Sequence, residues 1–497
     1  MASWALILIL ALGVPAVQAQ QQKDPRLNPP VAPLPPISPG ESTSRSAPDD
    51  PAPPQNAVKP DESPLSGAEA FTLGTSSGAR SYLAPSIRYT QFADNSGRSA
   101  ISSTNNEWRT VGSMVGNLSL QRLTARSQFG LDYSGGSMLF STVGTSRAVF
   151  HRLGISEHLN FRRVTLLLAD SMTYLPESSF GGGGFGGIST GILGGMGNSG
   201  IGTGGLSGGL GSGLSGGLGG GLIPGIAPNQ SIVTGFGRRI SNTALGQIQY
   251  AIGPRASLTA SGSFGLLRFL DSGFISSNNY QFMAGYDYKL NKADSIALTY
   301  GLSMLRFSGI TQSANFHQVH VSYGRRLTGR MALQLSGGPQ FGQFDNPVSG
   351  SSSRISWSAR SSLIVNFRNS DLSLNYSHTA SAGSGVLVGA DADRVDVSLS
   401  KQLTRMWNGG VVGGFAHNHS IRQLNAGSAE RTVNTWHSGF HLERPLTRQA
   451  KLSFVYNVTG QSANNPVGCT GVTCGRLPLR HQLALVLSWG FGPYAID

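Results

Sequence analysis

Apolar and polar residues alternate with a period of two along most of the chain after residue 80. Between Ser295 and Leu305, five apolar residues at even positions alternate with small residues such as Ala297 and Ser303. The segments 280–290 and 452–458 repeat the pattern. Because successive side chains of a β-strand point to opposite faces, this alternation predicts strands with one apolar face and one face of small residues. A helix would instead place apolar residues every three or four positions.

The predicted strands meet at eight short turns with a recurring composition. Four turns contain a Leu-Thr pair followed within two residues by arginine, at 122–126, 326–330, 402–405 and 445–448. The eight turns centre near residues 124, 161, 254, 292, 329, 369, 405 and 447, spaced 36 to 42 residues apart except across one long insertion. The intervening connections are longer and rich in Ser, Asn, Asp and Gly, which predicts hairpins with unequal ends.

Two long strands, one short turn and one long loop form the repeat of a transmembrane β-barrel. A sheet in lipid must close, because an open edge leaves backbone groups unpaired in hydrocarbon. Eight turns imply 16 strands, and a first strand from Tyr82 to Phe92 and a last from His481 to Phe491 raise the number to 18. We therefore predict an all-β fold, a transmembrane antiparallel β-barrel of about 18 strands with 16 as the alternative. A β-propeller fits less well, since its repeat of about 40 residues holds four short strands.

The last predicted strand carries an unbroken apolar row: Leu483, Leu485, Leu487, Trp489 and Phe491. It resembles the C-terminal targeting strand of bacterial outer-membrane proteins, and the repeat over residues 80–497 is similar to that of their β-barrels, without a family-specific motif. That strand normally ends on the aromatic residue, whereas six residues follow Phe491 here. The resemblance implies the outer membrane of a diderm bacterium, contact with its lipid, and insertion by the barrel assembly machinery.

The N-terminal 66 residues predict a signal peptide and an unfolded leader. A short apolar core at 4–12 precedes Val17-Gln18-Ala19, small residues of the kind that a signal peptidase reads, so residues 1–19 are the predicted signal peptide. Between Pro25 and Pro64 lie 13 of the 25 prolines. Residues 20–66 are therefore predicted to be a disordered Pro-rich periplasmic segment, acting as a spacer or as a contact to the cell wall. The barrel domain is predicted at 67–497.

One insertion interrupts the repeat, a Gly-rich outer loop predicted at 177–233. Between Gly181 and Leu222, 23 of 42 residues are Gly, and no charged residue lies between Glu177 and Arg238. A helix is disfavoured there, because each Gly costs about 1 kcal/mol relative to Ala. By strand count this is the third outer loop, which in porins folds into the channel. A plug and a mobile surface loop remain the two interpretations.

The composition and the phase of each strand indicate which charged residues face the interior of the barrel. Only 12% of residues are charged, about half the usual share, while 39% are hydrophobic and the formal net charge is +13. This composition excludes an ordinary soluble multidomain protein. The residues that determine function are therefore expected on the inner face of the barrel. Strand phase assigns these charges inward: Arg88, Arg109, Arg239, Lys289, Arg326, Arg360, Arg394 and Lys451, against Asp132, Asp287, Asp396 and Glu443.

The candidate lumen charges are Arg360, Arg394, Arg239 and Asp396. An 18-strand barrel is wide enough for a water-filled channel, and inward arginines favour anions. The prediction is a porin-like, weakly anion-favouring channel for solute uptake or acidic polysaccharide export. The alternative is a structural or adhesive envelope protein that uses the barrel as an anchor. Arginines near turns, such as Arg326, can instead serve as membrane-interface anchors.

Other motifs add little chemistry. Cys469 and Cys474 predict a disulfide in the last outer loop of an exported chain. His417 and His419, with His437 and His441 on the next strand, are expected on different faces, so no metal site is predicted. No cofactor and no catalytic activity are predicted, since no Gly-x-Ser-x-Gly elbow with placed partners is found. Nucleic acid is not an expected partner of an exported chain without a basic run.

Overall fold

The fold is an antiparallel sheet of long strands. In the computed structural model, the described residues are 81–95, 108–142, 144–175, 238–271, 276–308, 313–346, 350–381, 390–420, 432–464, 476–492 and 494–496. They contain 18 long strands and one two-residue strand. The strands are β1 (Tyr82–Asp94), β2 (Arg109–Leu123), β3 (Ser127–Thr142), β4 (Gly144–Asn160), β5 (Val164–Leu175), β6 (Arg239–Ala251), β7 (Ala256–Phe269), β8 (Ser276–Lys289), β9 (Asp294–Ser308), β10 (Ser313–Thr328), β11 (Met331–Asn346), β12 (Gly350–Asn366), β13 (Ser370–Ser381), β14 (Ala390–Gln402), β15 (Asn408–Ser420), β16 (Thr432–Pro445), β17 (Ala450–Asn464), β18 (Arg476–Gly490) and β19 (Tyr494–Ala495).

The sheet closes on itself. Each long strand pairs with its chain neighbours, and β1 pairs with both β2 and β18, with Ser86 opposite Gly490. The prediction of an 18-strand antiparallel barrel is confirmed, and the alternative of 16 strands is wrong. The residues beyond Phe491 extend this closure, since Tyr494 pairs with Leu83 through β19. No helix within the described ranges is long and apolar enough to cross a membrane.

All eight predicted short turns join consecutive strands, at 124–126, 161–163, 252–255, 290–293, 329–330, 367–369, 403–407 and 446–449. They lie at one end of the barrel, called here the short-turn end, and the other connections lie at the long-connection end. The β3–β4 connection is an exception to the predicted length, because residue 143 alone separates these strands. The Gly-rich insertion joins β5 to β6 as the third long connection, and its own structure lies outside the described residues.

The repeated Leu-Thr pair has a conformational cause. In each of the four turns the threonine hydroxyl accepts a hydrogen bond from a backbone N–H two or three residues later, at 2.9 to 3.1 Å, and these residues are Thr124, Thr328, Thr404 and Thr447. Such a bond mimics a backbone turn and stabilises the reversal locally. The preceding leucine is exposed in three of the turns, Leu327, Leu403 and Leu446. The turn motif is thus structural.

The strands have an exposed apolar face and a covered face. In β9, Leu298 and Tyr300 are 55% and 46% exposed, whereas Ala297 and Thr299 are 2% and 5% exposed. The same alternation along the other strands places the apolar row on the outside of the barrel, called here the outer wall, and the small residues on the inner wall. An exposed apolar surface of this extent is stable only in lipid. The barrel is therefore an outer-membrane barrel.

Polar groups on the outer wall are hydrogen-bonded across strands. The seventh residue of β3, β9, β13 and β17 is an outward tyrosine, and its hydroxyl bonds a side chain of the next strand at 2.7 to 3.0 Å: Tyr133 to His151, Tyr300 to His317, Tyr376 to Asp393 and Tyr456 to His481. Asp170, the seventh residue of β5, accepts a bond from Asn242 in the same arrangement at 2.6 Å. Hydrocarbon offers no hydrogen-bonding partner, so such groups must be satisfied within the barrel.

Candidate functional site

The structure places the four candidate lumen charges on the inner wall. Arg239 is 5% exposed near the long-connection end of β6. Arg360 of β12, Arg394 of β14 and Asp396 of β14 alternate with outward apolar residues of their strands. Of the other residues assigned inward, Arg109 begins β2, but its side chain lies outside the described part of the chain. Arg326 lies at the short-turn end and donates to the carbonyl of Lys292 at 3.1 Å, which fits an anchoring role.

Three further inward charges were missed from the sequence. Arg152 lies on the inner wall of β4 beside Phe150. Because Phe150 is a large apolar residue on the inner face, the sequence pattern of β4 does not show which face points inward. Arg480 is 3% exposed, in the part of β18 that begins before the predicted start at His481. Asp371 lies close to a turn, at the second residue of β13. The three assignments failed for these separate reasons: an inward aromatic residue, a strand that starts early, and a nearby turn.

The described inner wall has a positive balance. Nine basic side chains face five acidic ones, a difference of four, when the rim pair of Arg354 and Asp391 is set aside. The basic set is Arg88, Arg152, Arg239, Lys289, Arg326, Arg360, Arg394, Lys451 and Arg480, and the acidic set is Asp132, Asp287, Asp371, Asp396 and Glu443. Lys451 and Glu443 neutralise each other at 3.1 Å.

Arg360 and Arg394 lie in one row across the inner wall. The register places Arg360 opposite Ser377, and Ser377 opposite Arg394. The guanidinium of Arg394 is held by Asp396 of the same strand, with Nη2 donating to Oδ1 at 3.0 Å. For Arg360, Nε and Nη2 are buried and have no hydrogen-bond partner within the described structure. A buried donor left unpaired costs about 1–3 kcal/mol, so Arg360 is the basic group of this row whose charge has no compensating partner within the described structure.

Two histidines reach across glycines of this wall. Asp396, Gly414 and His437 lie opposite one another on β14, β15 and β16, and His437 Nε2 approaches Asp396 Oδ1 to 3.9 Å over the glycine. His320 of β10 likewise bonds the hydroxyl of Ser358 on β12, across β11 at Gly338. A Cβ at Gly414 would lie 2.7 Å from Asp396 Oδ1 and would clash with the His437 ring, so this glycine leaves the space that the first pair occupies.

We expect Gly338→Ala to destabilise the barrel by about 1–3 kcal/mol, because overpacking forces backbone shifts. A Cβ at Gly338 would lie 1.8 Å from the carbonyl oxygen of Val319, which is backbone and cannot rotate away. The adjacent Gly337→Ala is the matched control, since its added Cβ meets Ser358 at an ordinary 3.5 Å. Urea unfolding in lipid vesicles, followed by tryptophan fluorescence, measures both. Equal midpoints for the two variants would contradict the close approach.

Part of the inner wall is apolar and packed. Side chains on β1 to β4 form a cluster in which Val111, Val115 and Met138 are fully buried, and Phe92 and Phe150 are 3% and 2% exposed. The cluster continues onto β15, β17 and β18 through Val412, Val455, Ala484 and Val486. Because these side chains are at most 6% exposed, this sector of the wall is packed rather than lined by water. The predicted face of small polar residues is therefore incomplete, and the wall has an apolar sector and a charged sector.

The remaining candidates give no further site. His417 and His419 lie on the outer wall of β15, and His437 and His441 on the inner wall of β16, as expected from their phase. Within the described ranges, no three His, Cys, Asp or Glu residues are grouped as metal ligands. Cys469 and Cys474 lie outside the described residues, so their disulfide stays a prediction. The leader and the Gly-rich loop also lie outside them.

Comparison with known proteins supports the fold and nothing beyond it. No family profile and no curated protein sequence matches the chain. Solved barrels of similar architecture include OccAB3 of Acinetobacter baumannii, OpdQ of Pseudomonas aeruginosa, and OccK2 (OpdF) of the same organism in complex with glucuronate. Each is 11% identical, with a TM-score of 0.40, over 83% of this chain and 98 to 100% of its own. The closed 18-strand barrel with its apolar outer wall is that of a bacterial outer-membrane β-barrel protein.

Proposed function

We propose that the barrel is a porin-like channel with a weak preference for anions. The observation that carries this proposal is Arg360, an inward guanidinium with two buried nitrogens that lack a hydrogen-bond partner in the described structure. The positive difference of four on the inner wall supports it. In a low-dielectric wall, inward arginines raise the local concentration of anions and exclude cations.

The packed apolar sector bears on the cargo. A barrel of 18 strands is wide by strand count, and the buried cluster around Val111 and Met138 makes one sector of its inner wall apolar and packed. A path along the remaining charged sector suits small anionic solutes taken up from outside better than it suits an acidic polysaccharide on its way out. Arg394 and Asp396 pair with each other, so Arg360 supplies most of the selectivity of this row.

The proposal includes an orientation. With the short-turn end in the periplasm, both chain ends emerge there, as the rule of short periplasmic turns requires. Residues 1–19 then act as the signal peptide, and 20–66 as a periplasmic segment within reach of the cell wall. Insertion by the barrel assembly machinery and residence among outer-membrane lipid follow from this arrangement. No catalytic activity and no cofactor form part of the proposal.

Conductance in planar lipid bilayers tests the channel. We expect stepwise conductance from the purified chain, and larger steps from a variant lacking 177–233 if that loop narrows the opening. Equal steps would show that the loop does not restrict the path. If neither protein conducts, while both show the heat-modifiable gel mobility of a folded barrel, the channel proposal is wrong.

A second function is favoured by the same packed sector. A barrel whose interior is filled can act as an anchor, holding the Pro-rich segment inside the envelope and the Gly-rich loop outside it. Co-sedimentation with purified peptidoglycan would be lost on deletion of 20–66 if this is correct. Unchanged co-sedimentation would exclude the segment as a wall contact.

A further inference from the structure

The outer wall between β6 and β10 contains an apolar groove of about 630 Å³. Its floor is formed where small residues interrupt the rows of large side chains, at Ala260 and Ala284. Large apolar and aromatic side chains flank it: Ile248, Tyr250, Leu258, Tyr286, Leu298 and Tyr300. The groove lies within the membrane-facing surface, so its occupant is apolar.

Two outward arginines stand on the same strands, closer to the long-connection end. Arg268 of β7 donates to the hydroxyl of Ser308 at 2.6 Å. Arg306 of β9 donates to Asn315 Oδ1 at 2.9 Å. Both partners are neutral, and neither guanidinium has an ion-pair partner in the described structure. Their Cα atoms are about 12 Å apart from the strand spacing and register, so one anionic group can be reached by both.

A third arginine nearby is already neutralised. Arg238 precedes β6 and pairs with Asp271 after β7, with Nη2 at 2.7 Å and Nε at 2.8 Å from Oδ1. The Arg238 guanidinium lowers the pKa of the Asp271 carboxyl below its usual value. This carboxylate is therefore charged and already committed to Arg238, and Arg268 and Arg306 keep an uncompensated charge of two.

The height difference between groove and arginines matches one lipid leaflet. Arg306 lies opposite Asn278, which is six residues from Ala284 on β8. A strand tilted by about 40° rises roughly 2.5 Å per residue along the barrel axis, so the separation is about 15 Å. Half of a hydrocarbon core about 30 Å thick has the same depth. An acyl chain whose head group sits at Arg306 therefore ends in the groove.

We propose that this face binds a phosphorylated glycolipid of the outer leaflet, with a phosphate between Arg268 and Arg306 and one acyl chain in the groove. The assignment to the outer leaflet rests on the orientation proposed above. Arginine suits phosphate because its planar fork of N–H donors matches the oxygens. The small residues at 260 and 284 provide the depth that a chain requires.

The test measures binding of diphosphorylated lipid A to the purified full-length chain in detergent by native mass spectrometry. The paired variants R268Q with R306Q, and A260L with A284L, are expected to lower the fraction of barrel carrying lipid about fivefold or more. Two controls are matched by position. R147Q removes an exposed outward arginine of β4 at a similar height, opposite Leu139. G413L adds a side chain on the outer wall of β15, where a Cβ meets only the His437 carbonyl at 3.7 Å.

The proposal is overturned if folded R147Q loses lipid A as strongly as the R268Q–R306Q pair, or if both paired variants bind lipid A like the parent chain. Stronger binding of phosphatidylglycerol than of lipid A also overturns it, because the site would then belong to the other leaflet. Heat-modifiable gel mobility shows that each variant is folded. Bilayer conductance of the same variants reports separately on the channel, so a failure of one proposal is distinguishable from a failure of the other.

Discussion

Leu485→Arg is expected to lower the free energy of unfolding by about 2–4 kcal/mol, the range for a charged arginine at the bilayer midplane on a barrel's lipid face. Leu485 lies on the outer wall of β18, is 48% exposed and stands opposite Gln91 of β1, at the seam that closes the barrel. At 1.36 kcal/mol per tenfold change, the equilibrium constant for unfolding should rise roughly 30- to 1,000-fold. Urea unfolding in lipid vesicles measures it.

Leu446→Arg is the matched control for this substitution. Leu446 is also 48% exposed, but it lies in the turn between β16 and β17. Near an interface an arginine costs about 0–1 kcal/mol, so little change is expected. The two leucines differ in depth and not in exposure, and a similar loss for both would show that depth in lipid does not set the penalty. That result would contradict the membrane-spanning outer wall.

Arg360→Glu is expected to shift the anion-to-cation permeability ratio about three- to tenfold towards cations. The substitution changes the local charge by two, and a unit charge some 6 Å from a passing ion contributes about 0.7 kcal/mol in water. Salt screens this term, since the Debye length falls from about 10 Å at 0.1 M to 3 Å at 1 M. Reversal potentials across a KCl gradient give the ratio, and the shift should shrink at high salt.

Two further variants separate the local charge from net charge and shape. Arg368→Glu makes the same change in net charge, but in the exposed turn between β12 and β13, and should leave selectivity close to that of the parent chain. Arg360→Gln removes one charge instead of reversing it and should give about half the shift in free energy. Equal selectivity of Arg360→Glu and Arg368→Glu would refute the role of Arg360.

Much of the fold could be predicted because each strand shows its phase locally. The row from Ile296 to Met304 places one face in lipid without reference to any other strand. The turns could be predicted equally well, since the hydroxyl of Thr124, like the threonine hydroxyls of the other three Leu-Thr turns, accepts a hydrogen bond within its own turn. Closure followed from a general requirement rather than from a motif, because no edge is stable in hydrocarbon. The pairing of Tyr494 with Leu83 was not foreseen, since the chain departs there from the terminal strand it resembles.

The inner wall was harder to predict. Arg152 and Arg480 lie on strands whose outward rows contain histidine or begin earlier than the pattern suggested, so their phase was not readable. The cluster around Val111 and Met138 was missed because an apolar residue on the inner face looks like a break in alternation. The pairing of Arg394 with Asp396 was visible from their spacing, but the freedom of Arg360 required the positions of its neighbours on β11 and β13.

The sequence by itself determined the strands, the turns and the face that meets lipid, because these depend on period-two patterning and on contacts within a few residues. Only the tertiary structure decided which inner-wall groups meet. His437 approaches Asp396 from 41 positions away in sequence because β15 contributes a glycine between them, and Arg268 lies near Arg306 through the register of three strands. Such contacts depend on pairing between segments that are remote in sequence, and the same pairing brings apolar inner-wall side chains of β1 to β4, β15, β17 and β18 into one packed cluster.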